Sequence, residues 1–547
     1  MKLFLLGLML TIATTANAIV DMKNANYAQS WVDLEVPGTG YALNVSRTYN
    51  SKSLFDGMFG FGWCSEFETT LTPTAEGNLK VTECGAGQEQ FFTPKNFGKK
   101  EVDQMIATIV EKVKKEKKPD EKSLKEFTKD LSNDPDLRTK FATAYKVSLP
   151  IKDGTVFYAN GKEVDKITLS KGVYTRDLPD GSNVRFNSDG RVAYFYDKNG
   201  NYLKFTYEKT KIKEIVDNNG RKLNFYYTNN KVTSIKGPNN LVAEYKYKLD
   251  DLIWSKSASE KLEYKYEYDD AHNLTKILYP DGKFIALTYD KKNDWVTSFT
   301  DLEKCNESYT YEFDEKNPKL HYWSLVKKTC NKEVVTSAKH EFWYSERKDG
   351  KNFLQRILSK VNDNETDISY HEVFGKPISI RRNGERFTFD YYPNGQVLSK
   401  NSDRIKHTYK YDPKVSKVSE VATNILNEKG KVTSSKKTAF KYDPKGNLTY
   451  AENSEGMKIT MTYDNKGRIN QITDQSKKIV KIQYEERFGK PAIVTRPGLG
   501  TLKVSYKSTG DIDKVNSDEG PTVAMQVASV FNNLLDIISP ATAEVFQ

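Results

Sequence analysis

Few side chains in this sequence are spaced for catalysis or metal binding. It has no Gly-x-Ser-x-Gly elbow, no His-Glu-x-x-His and no phosphate-binding loop. The histidines are scattered, with no pair at the spacing of metal ligands: His272, His321, His340, His371 and His407. We therefore predict a non-enzymatic protein without cofactor or metal. A glycan-cleaving hydrolase, which needs two carboxylates in a cleft, is the disfavoured alternative because nothing singles out such a pair.

Residues 1–18 have the three parts of a secretory signal peptide. Lys2 supplies the positive charge, an apolar stretch runs from Leu3 to Ile12, and residues 16–18 form a small-residue cleavage site. The apolar stretch is shorter than the roughly 20 residues that cross a bilayer. We expect an exported protein, periplasmic, cell-surface or extracellular, with no transmembrane span.

The cysteines are suited to disulfides because an exported protein meets an oxidising compartment. Their spacings fit no zinc motif. Four cysteines allow three connectivities, of which we favour the sequence-local one, Cys64 with Cys84 and Cys305 with Cys330. Oxidised cysteines would not serve as thiol nucleophiles.

The elements that carry these residues repeat. From about residue 177, tyrosines recur at steps of about 20 residues. The first run is Tyr207, Tyr227, Tyr247, Tyr268, Tyr289 and Tyr311, and the second is Tyr392, Tyr411, Tyr442, Tyr463, Tyr484 and Tyr506. Such constant spacing over hundreds of residues predicts a repeat architecture.

Each unit predicts a β-hairpin. Residues 262–268 alternate apolar and charged side chains, so aromatic rings line one face of a strand. An aspartate then begins a turn through its side chain, and a glycine takes the positive-φ position. These turn residues are Asp269, Asp290, Asp443, Gly446, Asp464 and Gly467. Because one hairpin cannot bury its aromatic face alone, we predict a mainly β array that curls into a spiral sheet.

The units Tyr442–Leu448 and Tyr463–Ile469, with the pattern Tyr-Asp-x-x-Gly-x-aliphatic, resemble the YD repeats of RHS and teneurin-type proteins. The segments 36–40, 45–51 and 57–63 resemble the domain that precedes the repeats in RHS proteins. The resemblance implies a spiralling sheet that can close into a hollow shell, with the N-terminal domain opening the spiral or plugging its end. Whether the sheet closes here stays open.

Some members of that family cut themselves at an aspartyl-protease-like site. Two Asp-Pro pairs occur here, at residues 412–413 and 443–444, but both lie within ordinary repeat units, and the full pattern of the cleaving core is missing. We interpret these aspartates as turn formers.

The chain divides into five predicted parts. Asp134-Pro135 is a helix start within an amphipathic, charged stretch. The parts are the signal peptide 1–18, an RHS-type N-terminal β domain 19–96, a charged helical insertion 97–146, the repeat array 147–517, and a C-terminal amphipathic helix and tail 518–547. The insertion is a partner-binding arm or lid, or, as we prefer, a decoration. For the C-terminal helix we favour docking onto the sheet over binding to a membrane.

The composition leaves three functions open. The formal net charge is +11 at pH 7 and favours anionic partners, although dispersed lysines also keep strand edges soluble. We favour a binding or scaffold protein that recognises a glycan, an envelope component or a partner protein. The first alternative is a truncated shell that encloses a separately encoded toxin or other polypeptide, and the second is the hydrolase above. Nucleic acid is a disfavoured partner.

Overall fold

The computed structural model describes residues 19–84, 88–147, 151–159, 161–258, 261–347, 352–507, 510–517 and 525. The predicted signal peptide lies outside these residues, and so does the predicted C-terminal helix apart from Met525. Among the helices that are described, none combines the length and apolar character needed to cross a membrane.

The N-terminal segment forms a small antiparallel sheet in the order β1-β2-β3-β6, with a separate β4–β5 hairpin. One 3-10 turn, Glu66–Glu68, follows it. The strands are Ile19–Asp21 (β1), Asn26–Val36 (β2), Leu43–Asn50 (β3), Asp56–Gly57 (β4), Gly60–Phe61 (β5) and Trp63–Cys64 (β6).

The next three strands begin the large sheet. They are Thr70–Pro73 (β7), Leu79–Glu83 (β8) and Gln88–Thr93 (β9). Because β9 pairs with the first strand of the array, the region predicted as one N-terminal domain, 19–96, is divided between two sheets. The disulfide Cys64–Cys84 links them, and Cys305–Cys330 lies within the large sheet.

The helical insertion forms three helices with their own apolar core. They are Lys99–Lys117 (α1), Glu121–Asn133 (α2) and Pro135–Ala144 (α3). Asp120 and Asp134 cap α2 and α3 by accepting the backbone N–H groups of Ser123 and Leu137. The bundle docks on the β7–β8 turn, where Arg138 forms a buried ion pair with Glu76.

The array contributes the remaining strands, each antiparallel to the next along the chain. Its first half is Val156–Ala159 (β10), Lys162–Ser170 (β11), Val173–Asp177 (β12), Asn183–Phe186 (β13), Val192–Tyr196 (β14), Tyr202–Glu208 (β15), Lys211–Asp217 (β16), Lys222–Thr228 (β17), Lys231–Lys236 (β18), Val242–Lys248 (β19), Asp251–Lys256 (β20), Glu263–Tyr268 (β21), Leu274–Leu278 (β22), Phe284–Tyr289 (β23), Val296–Thr300 (β24) and Asn306–Phe313 (β25).

The second half of the array begins with three longer strands. Its members are His321–Cys330 (β26), Glu333–Glu346 (β27), Asn352–Val361 (β28), Asn364–Tyr370 (β29), Pro377–Arg382 (β30), Glu385–Tyr391 (β31), Val397–Asn401 (β32), Ile405–Tyr411 (β33), Val418–Leu426 (β34), Val432–Tyr442 (β35), Leu448–Asn453 (β36), Lys458–Tyr463 (β37), Ile469–Asp474 (β38), Ile479–Tyr484 (β39), Pro491–Arg496 (β40), Gly500–Tyr506 (β41) and Ile512–Ser517 (β42).

Together β7 to β42 make one 36-stranded antiparallel sheet that does not close end to end. The predicted mainly β fold of stacked hairpins, with a helical insertion, is therefore confirmed. Apolar and charged side chains alternate along the strands of this sheet. The apolar side chains lie on the face that packs against the N-terminal segment, which we call the inner face, and the charged side chains lie on the outer face.

Turns that are far apart in sequence lie against each other, which indicates that the sheet winds past itself. The Asn447 side-chain amide donates to the Asn199 side-chain oxygen over 2.9 Å, joining the turns after β35 and β14. At the β10–β11 turn, a Cβ on Gly161 would stand 2.5 Å from the carbonyl oxygen of Val373. Both contacts join strands about 20 apart in the array. One revolution of the spiral therefore takes about 20 strands.

Candidate functional site on the inner face of the sheet

The repeat tyrosines join each unit to the one before it. Apart from Tyr227, the hydroxyl of each repeat tyrosine donates to a backbone carbonyl at the start of an earlier strand. Tyr463 does so to Leu448 over 2.6 Å and Tyr484 to Ile469 over 2.7 Å. Tyr207, Tyr247, Tyr268, Tyr289 and Tyr442 make the same bond at 2.7 to 2.9 Å. Tyr227 differs, because its hydroxyl accepts a backbone hydrogen bond from Ile212, which acts to lower its pKa.

A β-bulge accompanies these tyrosines. The strand register shifts immediately before Tyr463, as it does before the other tyrosines named above. Tyr311 makes the same bond to Val296 over 2.8 Å without a register shift. The extra residue of a bulge bends the strand and re-aims the ring along the inner face. The same geometry identifies Tyr391, and not Tyr392, as a repeat tyrosine, because Tyr391 follows a bulge and donates to Pro377. The sequence interpretation was one residue off there.

The aspartates after these tyrosines hold the hairpin turns. The Asp443 carboxylate accepts the N–H groups of Lys445 and Asn447, both within 2.9 Å. Burial raises the pKa of Asp443, but the hydrogen bonds from Asn447 and Lys445 outweigh burial, so the pKa lies below its ordinary value. Asp269, Asp290 and Asp464 bond their turns in the same way. Gly446 and Gly467 both have φ of 78°.

The N-terminal segment covers the inner face of the first half of the array. Its centre is Arg47, fully buried and bonded at 2.6 Å to Asp33. Arg47 also donates to the hydroxyl of Tyr266 at 2.7 Å and to that of Ser255 at 2.8 Å. Tyr245 completes the network by donating to Asp33. This ion pair therefore fixes the N-terminal segment to the repeats.

Sequence reasoning missed Arg47 as an anchor. The signal was present, because Leu43, Val45, Arg47 and Tyr49 share one phase of an alternating strand. A charge at an apolar phase indicates a buried partner on the opposite surface. The partner could not be identified from the sequence because Asp33 lies on another strand.

The buried apolar side chains of the array form two separate clusters. The first extends from the N-terminal segment to Tyr309, and the second from Tyr409 to Leu502. Between them, no described residue of β28 to β31 is buried. A row of apolar side chains on the inner face crosses these strands, because each member is paired with the next across the sheet. The row consists of Phe342, Ile357, Ile368, Ile380 and Phe387. An accessible apolar strip thus lies between two filled stretches of the inner face.

Polar groups border this apolar strip. The His340 ring is bonded to Ser359 at 2.9 Å, and burial lowers the pKa of His340. Further along, Lys400 lies opposite Phe389 and His407 on the inward side. Burial lowers the pKa of both Lys400 and His407, the latter also through the charge of Lys400. The strip can therefore offer both apolar and hydrogen-bonding contacts.

These features define a β-hairpin repeat protein whose sheet winds into a shell-like wall. The family profile described as teneurin YD-shell matches residues 157–544, and a domain of unknown function (DUF6531) matches residues 18–91. The chain belongs to the teneurin YD-shell family. The resemblance inferred from the tyrosine spacing is confirmed.

Curated relatives match only a short part of the chain. Over 51 residues it is 41% identical to the tRNA nuclease WapA of Bacillus subtilis (strain 168) and to the tRNA3(Ser)-specific nuclease WapA of Bacillus spizizenii. This match covers 9% of the chain and 2% of those proteins.

Solved structures are similar at low identity. TcdB2-TccC3-TEV is 10% identical with a TM-score of 0.42, over 91% of this chain and 28% of that one. A Photorhabdus luminescens Tc holotoxin pore is 9% identical with a TM-score of 0.29, over 88% of this chain and 31% of that one.

Proposed function

We propose that this protein is an exported, non-enzymatic shell that holds a polypeptide segment against its inner face. The observation that carries the proposal is the accessible apolar strip of β28 to β31. It lies between two stretches of the inner face whose apolar side chains are buried, in a sheet whose revolutions lie against each other. A bound polypeptide would cover this strip as residues of the N-terminal segment cover the first half.

The chemistry of the strip suits an extended or partly folded peptide with apolar side chains. Ile368 and Ile380 are partly exposed, so burying each further would add favourable transfer free energy at about 25 cal/mol per Å². His340 and Lys400 supply polar contacts beside them. This combination of apolar and polar contacts discriminates little between peptide sequences. It therefore fits a surface that encloses a polypeptide better than a specific active site.

Two further observations support export and a structural role. The N-terminal 18 residues have the pattern of a signal peptide, and all four cysteines form disulfides. The Asp443 carboxylate is engaged by its own turn, which favours a structural over a catalytic role. The nuclease activity named for WapA is not proposed, because the match covers 2% of that protein.

Recognition of a glycan or envelope component through the outer face is the second candidate. It is supported by an outward aromatic ring lying under a lysine ammonium group, Trp323 under Lys339 at 4.7 Å. It requires no enclosed cargo, so the two functions can be tested separately.

The test is purification from the native cells, followed by protease treatment and mass spectrometry. We expect a single co-purifying polypeptide that resists protease. The variant Ile380→Glu, which charges the inner strip, should lose it, whereas Arg381→Glu on the outer face should retain it. Retention of equal cargo by both variants, or the absence of any protected polypeptide from the wild type, would refute the shell proposal.

A further inference from the structure

A pocket lies on the outer face of the longest strands, away from the inner strip. It has a volume of about 470 Å³ and spans β25 to β28. Ser308 belongs to its lining and faces outward, because it alternates with the inward Tyr309. Lysines from three consecutive strands also line it, Lys327 from β26, Lys339 from β27 and Lys360 from β28.

The pocket has a small excess of positive charge. The Lys339 ammonium lies 3.1 Å from the Glu341 carboxylate, and Lys360 lies 3.1 Å from Glu365. With Lys327, three ammonium groups therefore face two carboxylates, leaving one positive charge in excess. This balance suits a ligand carrying isolated negative charges and disfavours a dense polyanion, which the two carboxylates would repel.

The lining is also rich in groups that bond neutral hydroxyls. Ser308, Ser337 and Asn362 provide hydroxyl and amide groups that can both donate and accept hydrogen bonds. A ligand with several hydroxyls could form hydrogen bonds with these side chains without carrying a charge at each of them.

A row of outward aromatic rings leads to the pocket. The Lys339 ammonium lies 4.7 Å from the centre of the partly exposed Trp323 ring, so Lys339 belongs to both features. The Trp323 indole N–H donates to Glu312 at 2.7 Å, which fixes the plane of the ring. His321 lies 5.5 Å from Trp323 and stacks on Trp343 at 5.0 Å.

We propose that this pocket binds an acidic saccharide. A sugar carboxylate would be paired by Lys327 and Lys339, the sugar hydroxyls would be bonded by Ser308, Ser337 and Asn362, and the C–H face of the sugar ring would pack on Trp323. An acidic peptide offers no rigid C–H face to the indole and fewer hydroxyls to the lining. The mixture of aromatic plane, hydroxyls and sparse charge therefore favours the saccharide. This site is independent of cargo in the shell.

The proposal is tested by calorimetric titration of the full chain with an oligosaccharide that carries a single galacturonate residue among neutral sugars. We expect binding that weakens as ionic strength rises. Lys327→Gln and Trp323→Ala should each lower affinity by about tenfold or more, as loss of one charge-assisted hydrogen bond or one stacking contact does. The matched control pair Lys246→Gln and Trp254→Ala has the same outward cation–aromatic geometry without the pocket and should leave affinity unchanged. Thermal unfolding of each variant establishes that it is folded.

Three results would overturn the proposal. Equal binding of a neutral oligomer of the same length would exclude recognition of the carboxylate. Equal or tighter binding of polyglutamate or of single-stranded DNA would indicate a general anion site. Equal losses in the pocket and control variants would assign the binding to overall surface charge.

Discussion

Replacing Tyr463 by phenylalanine tests how the repeats are held together. The Tyr463 hydroxyl donates to the Leu448 carbonyl at 2.6 Å, and its ring packs against the second apolar cluster. The substitution keeps the ring and removes only this bond. Because Leu448 begins the neighbouring strand, the bond connects two consecutive hairpins, β35–β36 and β37–β38.

The expected loss of stability follows from the environment of the Tyr463 hydroxyl. Burial raises the pKa of Tyr463 to about 12, which indicates a poorly solvated hydroxyl. Leaving its acceptor without a partner should lower the free energy of unfolding by about 1 to 2 kcal/mol. Tyr463→Ala also removes the partly buried ring and should cost about 2 to 4 kcal/mol. Phenylalanine at Tyr442, Tyr463 and Tyr484 together should cost about three times the single value, because these residues lie about two strands apart.

The assay is hydrogen exchange of the backbone amides of β36 to β38, read beside those of β15 and β16 as an internal reference, together with denaturant unfolding. The matched control is Tyr450→Phe, because the Tyr450 hydroxyl bonds Glu452 on the outer face of β36. The control should change stability by less than about 0.5 kcal/mol.

The reasoning would be refuted by unchanged amide protection in β36 to β38 for Tyr463→Phe. An equal loss in the Tyr450→Phe control would also contradict it, because the effect would then not depend on the bond between units.

Three further perturbations test other parts of the structure. Burial raises the pKa of Tyr266 to about 12 from its ordinary value of 10.0. The unfolded chain therefore loses this proton first, and the free energy of unfolding should fall by up to about 3 kcal/mol between pH 10 and 12, which absorbance of tyrosinate during unfolding would follow. Arg47→Met leaves the Asp33 carboxylate charged, at 1% exposure, and without its partner cation. This substitution should lower the free energy of unfolding of the N-terminal segment by about 3 to 5 kcal/mol, measured by limited proteolysis and denaturant unfolding. Adding Asp33→Asn to Arg47→Met should recover part of this loss. Replacing both Cys305 and Cys330, 25 residues apart, by alanine should cost about 3 kcal/mol in thermal unfolding, and an unchanged transition would contradict a stabilising role for this disulfide.

Local features were readable in the sequence because they depend on neighbouring residues. The alternation in β21 predicts a strand, and Asp443 with Gly446 predicts a turn, since each acts within a few residues. The hydroxyl bond of Tyr463 was not predictable, because its direction depends on a bulge whose register the apolar pattern leaves open. The assignment of Tyr392 in place of Tyr391 failed for the same reason.

The sequence by itself determined the repeat, the mainly β class and the family, because these follow from side-chain period and turn chemistry within units of about 20 residues. Only the tertiary structure decided that β9 pairs with β10 across the helical insertion, that Arg47 meets Tyr266, and that Asn199 meets Asn447. It also decided which part of the inner face stays accessible. These outcomes depend on the twist accumulated over many strands, a sum of small rotations that no single repeat specifies.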